Sequence, residues 1–286
     1  MSYIYASGAF HHAISDQLPE LKDTVKASCG KHVRRIDRFI QLALIGSHRC
    51  MQGRTPALPC SLYLSSGDGP KSNTITALRQ VFLHNEALMP LQFINLVSNA
   101  AAFYIGQALA LQGGSLFLSS SSFAIDKAMQ LAALDLAHGS CQQALVGCVD
   151  ECADPIHVQR EMLGLADDAA VGEGSYWFLL GNDAGKAIAR IRANVHFADR
   201  ASADAWLQQH GRADCVAPGK GIADAAYLAA YGRPWHYQQQ LAAHNSSTGY
   251  ALDAFLHDAS LGNSLLHIDC SKEGHYQLLL VERLAG

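Results

Sequence analysis

The distribution of apolar residues along the chain predicts alternating helices and strands. Between residues 33 and 49, apolar side chains recur every three to four positions, and Ile36, Phe39 and Ile40 fall on one helical face. Short apolar runs bounded by Gly, Pro or Ser predict strands. Helices are predicted at 33–49, 74–83, 95–111, 124–138, 201–210, 222–231 and 250–259. Strands are predicted at 3–6, 61–66, 116–118, 143–149, 176–180, 188–193, 214–217, 265–270 and 276–282.

This alternation predicts an α/β protein with a mostly parallel sheet covered by helices. The last two predicted strands flank a turn at residues 272–275 and should form a closing hairpin. We find no exact internal sequence repeat. The pattern nevertheless restarts after Asp199, so the two halves could be structural duplicates.

Composition narrows the class of protein. A chain of 286 residues with 49% hydrophobic and 16% charged residues is globular and can bury a large core. The net charge of −4 gives no global basic character for binding nucleic acid. No apolar run reaches the roughly 18 residues of a membrane span, and residues 1–5 lack signal-peptide features. The eight cysteines are scattered, which predicts a reducing, cytoplasmic location.

Residues 119–122 are four consecutive serines, and they are the first candidate for chemistry. They follow a predicted strand and precede a predicted helix. Such a turn is a common position for a catalytic Cys or Ser, because the N–H groups of the helix N-terminus stabilise negative charge. Serine is also a preferred N-cap residue. A former nucleophile site and a simple cap therefore both remain open, and they are compatible.

Other candidate chemistry is weaker. Three cysteines near one another in sequence lack the spacing of a zinc site, so we predict no metal: Cys141, Cys148 and Cys152. Ser122 could pair with a distant histidine such as His244 in a hydrolase-like arrangement, but no Gly-x-Ser-x-Gly elbow is present. A basic cluster could bind an acidic carrier protein, although a solvated face or internal ion pairs are favoured: Lys31, Arg34, Arg35 and Arg38.

Several motifs, in order and spacing, resemble those of β-ketoacyl synthases of the thiolase superfamily. Residues 34–43 resemble the early helix of that family, residues 95–101 the helix before the nucleophile, and residues 113–124 the nucleophile segment. Residues 145–151 resemble the following strand, and residues 172–174 the Gly-Glu-Gly turn.

The resemblance implies a thiolase-like fold. That fold has two related halves, each with a five-stranded sheet, stacked as an α-β-α-β-α arrangement. It further implies an N-terminal ketosynthase-like half at 1–185 and a shortened C-terminal half at 186–286, together forming one compact unit.

The catalytic positions implied by the resemblance are all changed. The family uses a cysteine to accept the acyl chain and two histidines to promote decarboxylation and stabilise the enolate. In this chain Ser122 takes the cysteine position, Pro218 the first histidine position and Tyr250 the second. An unactivated serine is a poor thioester acceptor, and proline has no side-chain donor or acceptor. The resemblance therefore implies lost condensation chemistry and no cofactor.

A non-catalytic ketosynthase relative resembles a chain-length factor, which forms a heterodimer with an active ketosynthase that works with an acyl carrier protein. The shortened form looks most like the small ketosynthase-like subunit of aryl polyene biosynthesis, a polyketide or fatty-acid-like pathway. The resemblance places Gln92, Phe93 and Leu96 near the acyl tunnel of the partner, although an ordinary core or interface role is favoured for Phe93 and Leu96. It implies a pairing strand at the interface: Ser115, Leu116, Phe117 and Leu118. The alternative is an acyltransferase or hydrolase that uses Ser122.

Overall fold

The computed structural model describes residues 2–30, 35–222 and 226–284. The strands are β1 (Ser2–Ile14), β2 (Cys60–Ser66), β3 (Ser115–Ser119), β4 (Gln143–Asp150), β5 (Val171–Gly181), β6 (Ala189–Phe197), β7 (Cys215–Pro218), β8 (Arg233–Pro234), β9 (Ser264–Cys270) and β10 (Tyr276–Arg283). The helices are α1 (Lys22–Cys29), α2 (Arg38–Met51), α3 (Lys71–Phe82), α4 (Pro90–Leu96), α5 (Ala100–Ala108), α6 (Ala124–His138), α7 (Ile156–Leu163), α8 (Arg200–His210) and α9 (Ser247–His257).

The strand order repeats along the chain. In the described residues, ten strands are hydrogen-bonded in the order β3-β2-β4-β5-β1-β6-β10-β9-β7-β8. The first five strands therefore have the order 3-2-4-5-1. The last five, read from the opposite edge, have the order 8-7-9-10-6, which is the same arrangement with five added to each number. The two sets meet where Ser2, Tyr3 and Ile4 pair with β6. The fold is thus a structural duplication without an exact sequence repeat.

The prediction of a mostly parallel sheet is wrong. Within the described strands, β2 is parallel to β3 and β4, and β7 is parallel to β8 and β9. β5 and β10 each run antiparallel to both of their neighbours, and β1 is antiparallel to β6. The alternation of helices and strands in sequence does not specify strand direction, which depends on how each connection returns to the sheet. The predicted β9–β10 hairpin is confirmed.

Three apolar clusters define five layers. Between the two strand sets, α6 and α9 pack in one cluster with inward-facing residues of both sets, such as Tyr176 and Leu279. On the opposite face of the first set, α2 and α5 pack with Trp177. On the opposite face of the second set, α8 packs with Leu280. Tyr176 and Trp177 are adjacent in β5 and enter different clusters, because successive strand side chains point to opposite faces. The predicted α-β-α-β-α arrangement is confirmed.

Several predicted boundaries are corrected. The single helix predicted at 95–111 is two helices, because α4 ends at Val97, whose ψ is 121°, and α5 starts after Asn99. Ser and Asn side chains compete for backbone hydrogen bonds and disfavour helix interiors. The helix predicted at 33–49 starts only at Arg38, because the Asp37 side chain caps it by accepting a hydrogen bond from Ile40 N at 2.8 Å. Residues 33 and 34 lie outside the described residues.

Other elements also differ from their predictions. The first strand covers Ser2–Ile14 rather than four residues. The described part of the helix predicted at 222–231 is a short 3₁₀ turn, Ala226–Ala230. Helices α1 and α7 were not predicted, since each is only eight residues long and too short for a clear apolar period. By contrast, the helix predicted at 124–138 matches α6 at both ends.

A buried carboxylate connects four segments of the first half. The Glu173 side chain on β5 is fully buried and forms a bidentate pair with Arg38, at 2.7 Å to Nε and 2.6 Å to Nη2. His12 Nε2 on β1 lies 3.0 Å from Glu173 Oε1, and Cys152 N donates to Oε2 at 3.2 Å. Burial alone raises the pKa of Glu173, but hydrogen bonds from His12 and Arg38 bring it below its usual value.

Buried neutral histidines predict a loss of stability in acid. His267 is 1% exposed, its Nε2 lies 3.1 Å from the Tyr237 hydroxyl, and burial lowers its pKa from 6.5 to about 4. The unfolded chain therefore binds a proton at this residue at higher pH than the folded chain. The contribution of neutral His267 to the free energy of unfolding is fully present above about pH 6.5. It is lost as the pH falls towards about 4, which lowers the free energy of unfolding by about 3 kcal/mol.

His267→Gln removes this proton-binding group. From about pH 7 to about pH 4, the free energy of unfolding of the wild type should fall by up to about 3 kcal/mol relative to that of His267→Gln. Urea unfolding at several pH values measures this difference. The exposed His138, changed to Gln, is the control and should follow the wild type. Parallel pH profiles for wild type and His267→Gln would show that this histidine is not held neutral.

Candidate functional site

A cavity beside the serine turn lies between the N-termini of α6 and α9. It has a volume of about 600 Å³. Ser122 lines it from the turn before α6, and the first residues of α9 line it from the other side. The loop after β7 and the end of β9 complete the wall. Polar residues dominate this part of the wall: Ser121, Ser122, Lys220, Asn245, Ser246 and Asp269.

The serine turn has an unusual backbone geometry. Phe123 stands at the N-cap of α6 with φ of 60° and ψ of 33°, a left-handed conformation that is uncommon for a residue with a side chain. Ser120 Oγ donates to the carbonyl oxygen of Ser122 at 2.8 Å, and Lys127 Nζ donates to Ser120 Oγ at 2.8 Å. Within the described chain, no side chain caps this helix. The serines therefore stabilise the turn and do not act as a helix cap.

The Ser122 hydroxyl is not hydrogen-bonded to a base in the described part of the chain. No hydrogen bond joins it to a histidine, although His196 and His275 line a neighbouring cavity that Ser122 shares. His244 Nδ1 donates to the carbonyl oxygen of Ala242 at 2.8 Å, and its Nε2 lies 3.1 Å from the Tyr176 hydroxyl. Burial also lowers the pKa of His244 to about 4. Both nitrogens of His244 are therefore engaged elsewhere, and the hydrolase-like pair of Ser122 and His244 does not form.

The structure does not bring the other two changed positions into this cavity. Pro218 is the last residue of β7, its carbonyl oxygen accepts from Gln238, and it lines a separate cavity of about 620 Å³. Tyr250 lies in the first turn of α9, with its ring centroid 5.1 Å from that of His11 and 6.2 Å from that of Tyr237. Of the three positions, only Ser122 is among the described residues that line the cavity between α6 and α9.

A network of charged and amide groups occupies the wall of this cavity. Lys220 Nζ donates to Asn245 Oδ1 at 2.8 Å, and Asn245 Nδ2 donates to Asp68 Oδ2 at 3.0 Å. Lys71 Nζ lies 2.7 Å from the same Asp68 oxygen. The network connects the loop after β2, the loop after β7 and the start of α9. It stabilises the loops around the cavity.

Sequence reasoning missed Lys220, Asn245 and Asp68. A usable signal was present, because Asp68 and Lys220 each stand two residues after a strand, where loop residues line the cavity. Asn245 lies just before α9. Their pairing was not predictable, since Asn245 and Asp68 are separated by 177 positions in sequence.

Burial raises the pKa of two further titratable groups at or near the cavity, Asp150 and Cys148. Asp150, at the end of β4, accepts hydrogen bonds from Ser66 Oγ at 2.9 Å and Gly67 N at 2.8 Å, and burial raises its pKa to about 6. Cys148 lines the cavity and is 1% exposed. Burial raises the pKa of this thiol well above its usual value, so Cys148 is not a thiolate nucleophile.

The segments expected at a subunit interface lie at the surface. β3 stands at one end of the strand order, and Leu116 is 41% exposed. In α4, Phe93 is 64% exposed, Gln92 is exposed and Leu96 is half-buried. Gln92 Oε1 accepts a hydrogen bond from Met89 N at 2.8 Å at the start of the helix. Large apolar residues of the neighbouring helices are also exposed: Leu78, Phe82, Leu83, Ile94 and Phe103.

Of the basic cluster predicted around residues 31–38, Arg38 is not available to bind a carrier protein. Arg38 forms the internal ion pair with Glu173, so the favoured interpretation as an internal pair is correct for this residue. Lys31 and Arg34 lie outside the described residues.

Across residues 2–30, 35–222 and 226–284, we find no group of three or more His, Cys, Asp or Glu side chains arranged to hold a metal ion. None of the described helices combines the length and apolar character required to cross a membrane.

Comparison with known structures identifies the fold. No protein-family model matches the chain, and a search of curated proteins also gives no match. Solved structures do match, and one is the ishigamide ketosynthase/chain length factor, with 17% identity, a TM-score of 0.78 and 99% of each chain covered. Another is a type II polyketide synthase acyl-carrier protein in complex with its ketosynthase, with 13% identity, a TM-score of 0.70 and 99% of each chain covered.

OleA from Xanthomonas campestris is also similar, with 12% identity, a TM-score of 0.64 and 98% of each chain covered. These similarities span nearly the whole chain, and they agree with the repeated strand order and the five layers. At such identities the comparison shows the architecture of the chain and not its activity. The chain has the thiolase-like fold of the ketosynthases.

Proposed function

We propose that this chain is a non-catalytic, chain-length-factor-like subunit that forms a heterodimer with an active β-ketoacyl-acyl carrier protein synthase. The observation that carries the proposal is Ser122, which stands at the nucleophile turn of a ketosynthase fold without a hydrogen bond to a base among the described residues. A serine hydroxyl needs such a base to attack a thioester. The engaged nitrogens of His244 also argue against the alternative, an acyltransferase or hydrolase that uses Ser122.

The exposed apolar surface supports a stable partner. β3 pairs with β2 on one side and stands at the edge of the described sheet, where its free backbone groups can pair with another chain. Leu116, Phe93 and Phe103 are exposed on β3 and the helices beside it. Large apolar side chains exposed on adjoining elements favour an interaction site there. We infer that β3 pairs with its counterpart in the ketosynthase across a pseudo-two-fold axis.

The proposed role is to shape the acyl tunnel of the partner. One similar structure is a ketosynthase/chain length factor, and another holds an acyl-carrier protein with its ketosynthase. By analogy, this chain would act in polyketide or fatty-acid-like synthesis on an acyl carrier protein, with aryl polyene synthesis as the proposed pathway. Gln92, Phe93 and Leu96 would then contact the growing acyl chain.

Co-expression with each candidate active ketosynthase tests this function. The proposed subunit should co-purify with its partner in an equimolar complex. In that complex, Ser122→Ala should leave the rate of carrier-bound chain formation nearly unchanged, because no base activates the hydroxyl. A loss of about a hundredfold or more, with the complex still assembled, would instead show that Ser122 is catalytic. Acylation of Ser122 detected by mass spectrometry would lead to the same conclusion.

Leu116 tests the proposed interface. Replacing Leu116 with Asp places a charge on the edge strand, and burying that charge in the interface should cost several kcal/mol. Leu116 is a better choice than Phe117, since the Phe117 ring contacts Phe39 with centroids 6.2 Å apart. Leu116→Asp should therefore fold but fail to co-elute with the partner in size-exclusion chromatography. Ile188→Asp is the matched control, because Ile188 is 38% exposed and lies away from β3.

Product length tests the proposed tunnel role. Phe93→Ala should lengthen the carrier-bound products, since it removes volume from the tunnel wall, whereas Leu96→Trp should shorten them. Mass spectrometry of the intermediates gives the distribution. Phe82→Ala removes the same volume from the exposed apolar surface and should leave that distribution unchanged. If all three variants assemble and give the wild-type distribution, this subunit does not determine chain length.

A further inference from the structure

A second cavity, of about 410 Å³, lies against the same serine turn. It shares Ser121, Ser122, Phe123, Ser271 and Glu273 with the cavity described above, and the other residues lining its wall are different. That wall comes from α6, β6 and the start of β10. The residues that matter here are Ser120, Lys127, His196, His275 and Gln277. None of them is one of the three catalytic positions that the ketosynthase resemblance implies.

This cavity concentrates hydrogen-bond donors and positive charge. Lys127 Nζ donates to Ser120 Oγ at 2.8 Å, and no carboxylate within the described chain forms an ion pair with it. The rings of His196 and His275 meet edge to face with centroids 5.4 Å apart. The 15-residue helix α6 starts beside them without a side-chain cap. Its N-terminal N–H groups and dipole favour an anion there.

One carboxylate, Glu273, lies on the same wall in the described chain. Glu273 is exposed at the rim, and a hydrogen bond with Ser271 lowers its pKa. Lys272 and His275 lie close enough to favour its charged form. Its charge is therefore shared with neighbouring groups and screened by solvent, and Lys127 remains available to an anionic ligand.

Gln277 adds a second requirement for the ligand. This side chain is 1% exposed, and its Nε2 donates to Asn194 Oδ1 at 2.6 Å. Asn194 Nδ2 in turn donates to the carbonyl oxygen of Asp126 at 2.9 Å, which fixes the orientation of both amides. Gln277 Oε1 is left buried without a hydrogen-bond partner among the described residues. An acceptor in this position is costly unless a ligand in the cavity donates a proton to it.

We propose that this cavity binds a phosphate group that retains a proton. Lys127, the two histidines and the N-terminus of α6 would bind the charged oxygens, while the P–OH group donates to Gln277 Oε1. The volume of about 410 Å³ leaves room for an organic substituent beside the phosphate. The ligand can therefore be free phosphate or a singly protonated phosphate monoester. Sulfate has a similar size and charge but carries no proton at neutral pH, so it cannot satisfy Gln277.

Binding titrations with the full chain test this site at constant ionic strength. Calorimetry measures the binding of three probes: inorganic phosphate, glycerol 3-phosphate and sulfate. At least one phosphate probe should bind about tenfold or more tightly than sulfate. The tighter of the two phosphate probes identifies the source, free ion or ester. Lys127→Gln should weaken phosphate binding by about tenfold or more. Gln277→Leu should remove most of the preference for phosphate over sulfate.

Lys186→Gln is the matched control, since it removes the same charge from an exposed residue that does not line the cavity. It should bind phosphate as the wild type does. Thermal unfolding checks that each variant is folded, and Lys127→Gln is the safer variant because Lys127 is half-buried rather than in the core. Equal binding of phosphate and sulfate by the wild type would overturn the proposal. Unchanged phosphate affinity in a folded Lys127→Gln variant would overturn it as well.

Discussion

The buried ion pair between Glu173 and Arg38 is the constraint on which the first half of the structure depends. Glu173 lies on β5, opposite His12 of β1, and Arg38 is the first residue of α2. Cys152 N, in the loop after β4, donates to the same carboxylate. A single charge thus positions two strands, a helix and a loop. Removing one partner would leave a buried charge unpaired, which typically costs about 3–5 kcal/mol.

The same region positions the loops around the cavity between α6 and α9. Glu151, next to Cys152, accepts a hydrogen bond from Ser72 N at 2.7 Å at the start of α3, and burial raises its pKa to about 8. Asp150 binds the turn after β2. From there the network continues through Asp68 to Asn245 at the start of α9. The polar groups of this site therefore stabilise loops, whereas a ketosynthase would need them to activate a nucleophile.

The surface and the site give one consistent interpretation. The interior of the chain is well packed, yet Leu116, Phe93 and Phe82 remain exposed on neighbouring elements. An active enzyme could function with its own site alone, but a subunit without an activated nucleophile requires a partner to contribute to catalysis. In the proposed function, the exposed edge strand and helices would provide the surface for that partner. The changed residue at the nucleophile turn and the exposed apolar surface would then belong to the same proposed role.

The sequence by itself determined the local elements of this protein. The apolar period of residues 124–138 predicted α6 at both ends, and the turn at 272–275 predicted the closing hairpin. Local periods predict local elements because a helical or extended segment must bury one face. The resemblance to ketosynthases, carried by motif order, predicted the five layers and pointed to Ser122 as the changed nucleophile.

Only the tertiary structure decided the strand directions, the break between α4 and α5, and the composition of the site. β5 runs antiparallel to both neighbours, although α7 precedes it in sequence. The helix predicted at 95–111 appeared continuous because its residues are apolar, but Val97 breaks it. Lys220, Asn245 and Asp68 meet across long stretches of chain. Gln277 Nε2 donates to Asn194, and its Oε1 is left without a hydrogen-bond partner among the described residues. Such pairings arise when distant segments pack together, and a linear pattern contains no distance between residues that far apart.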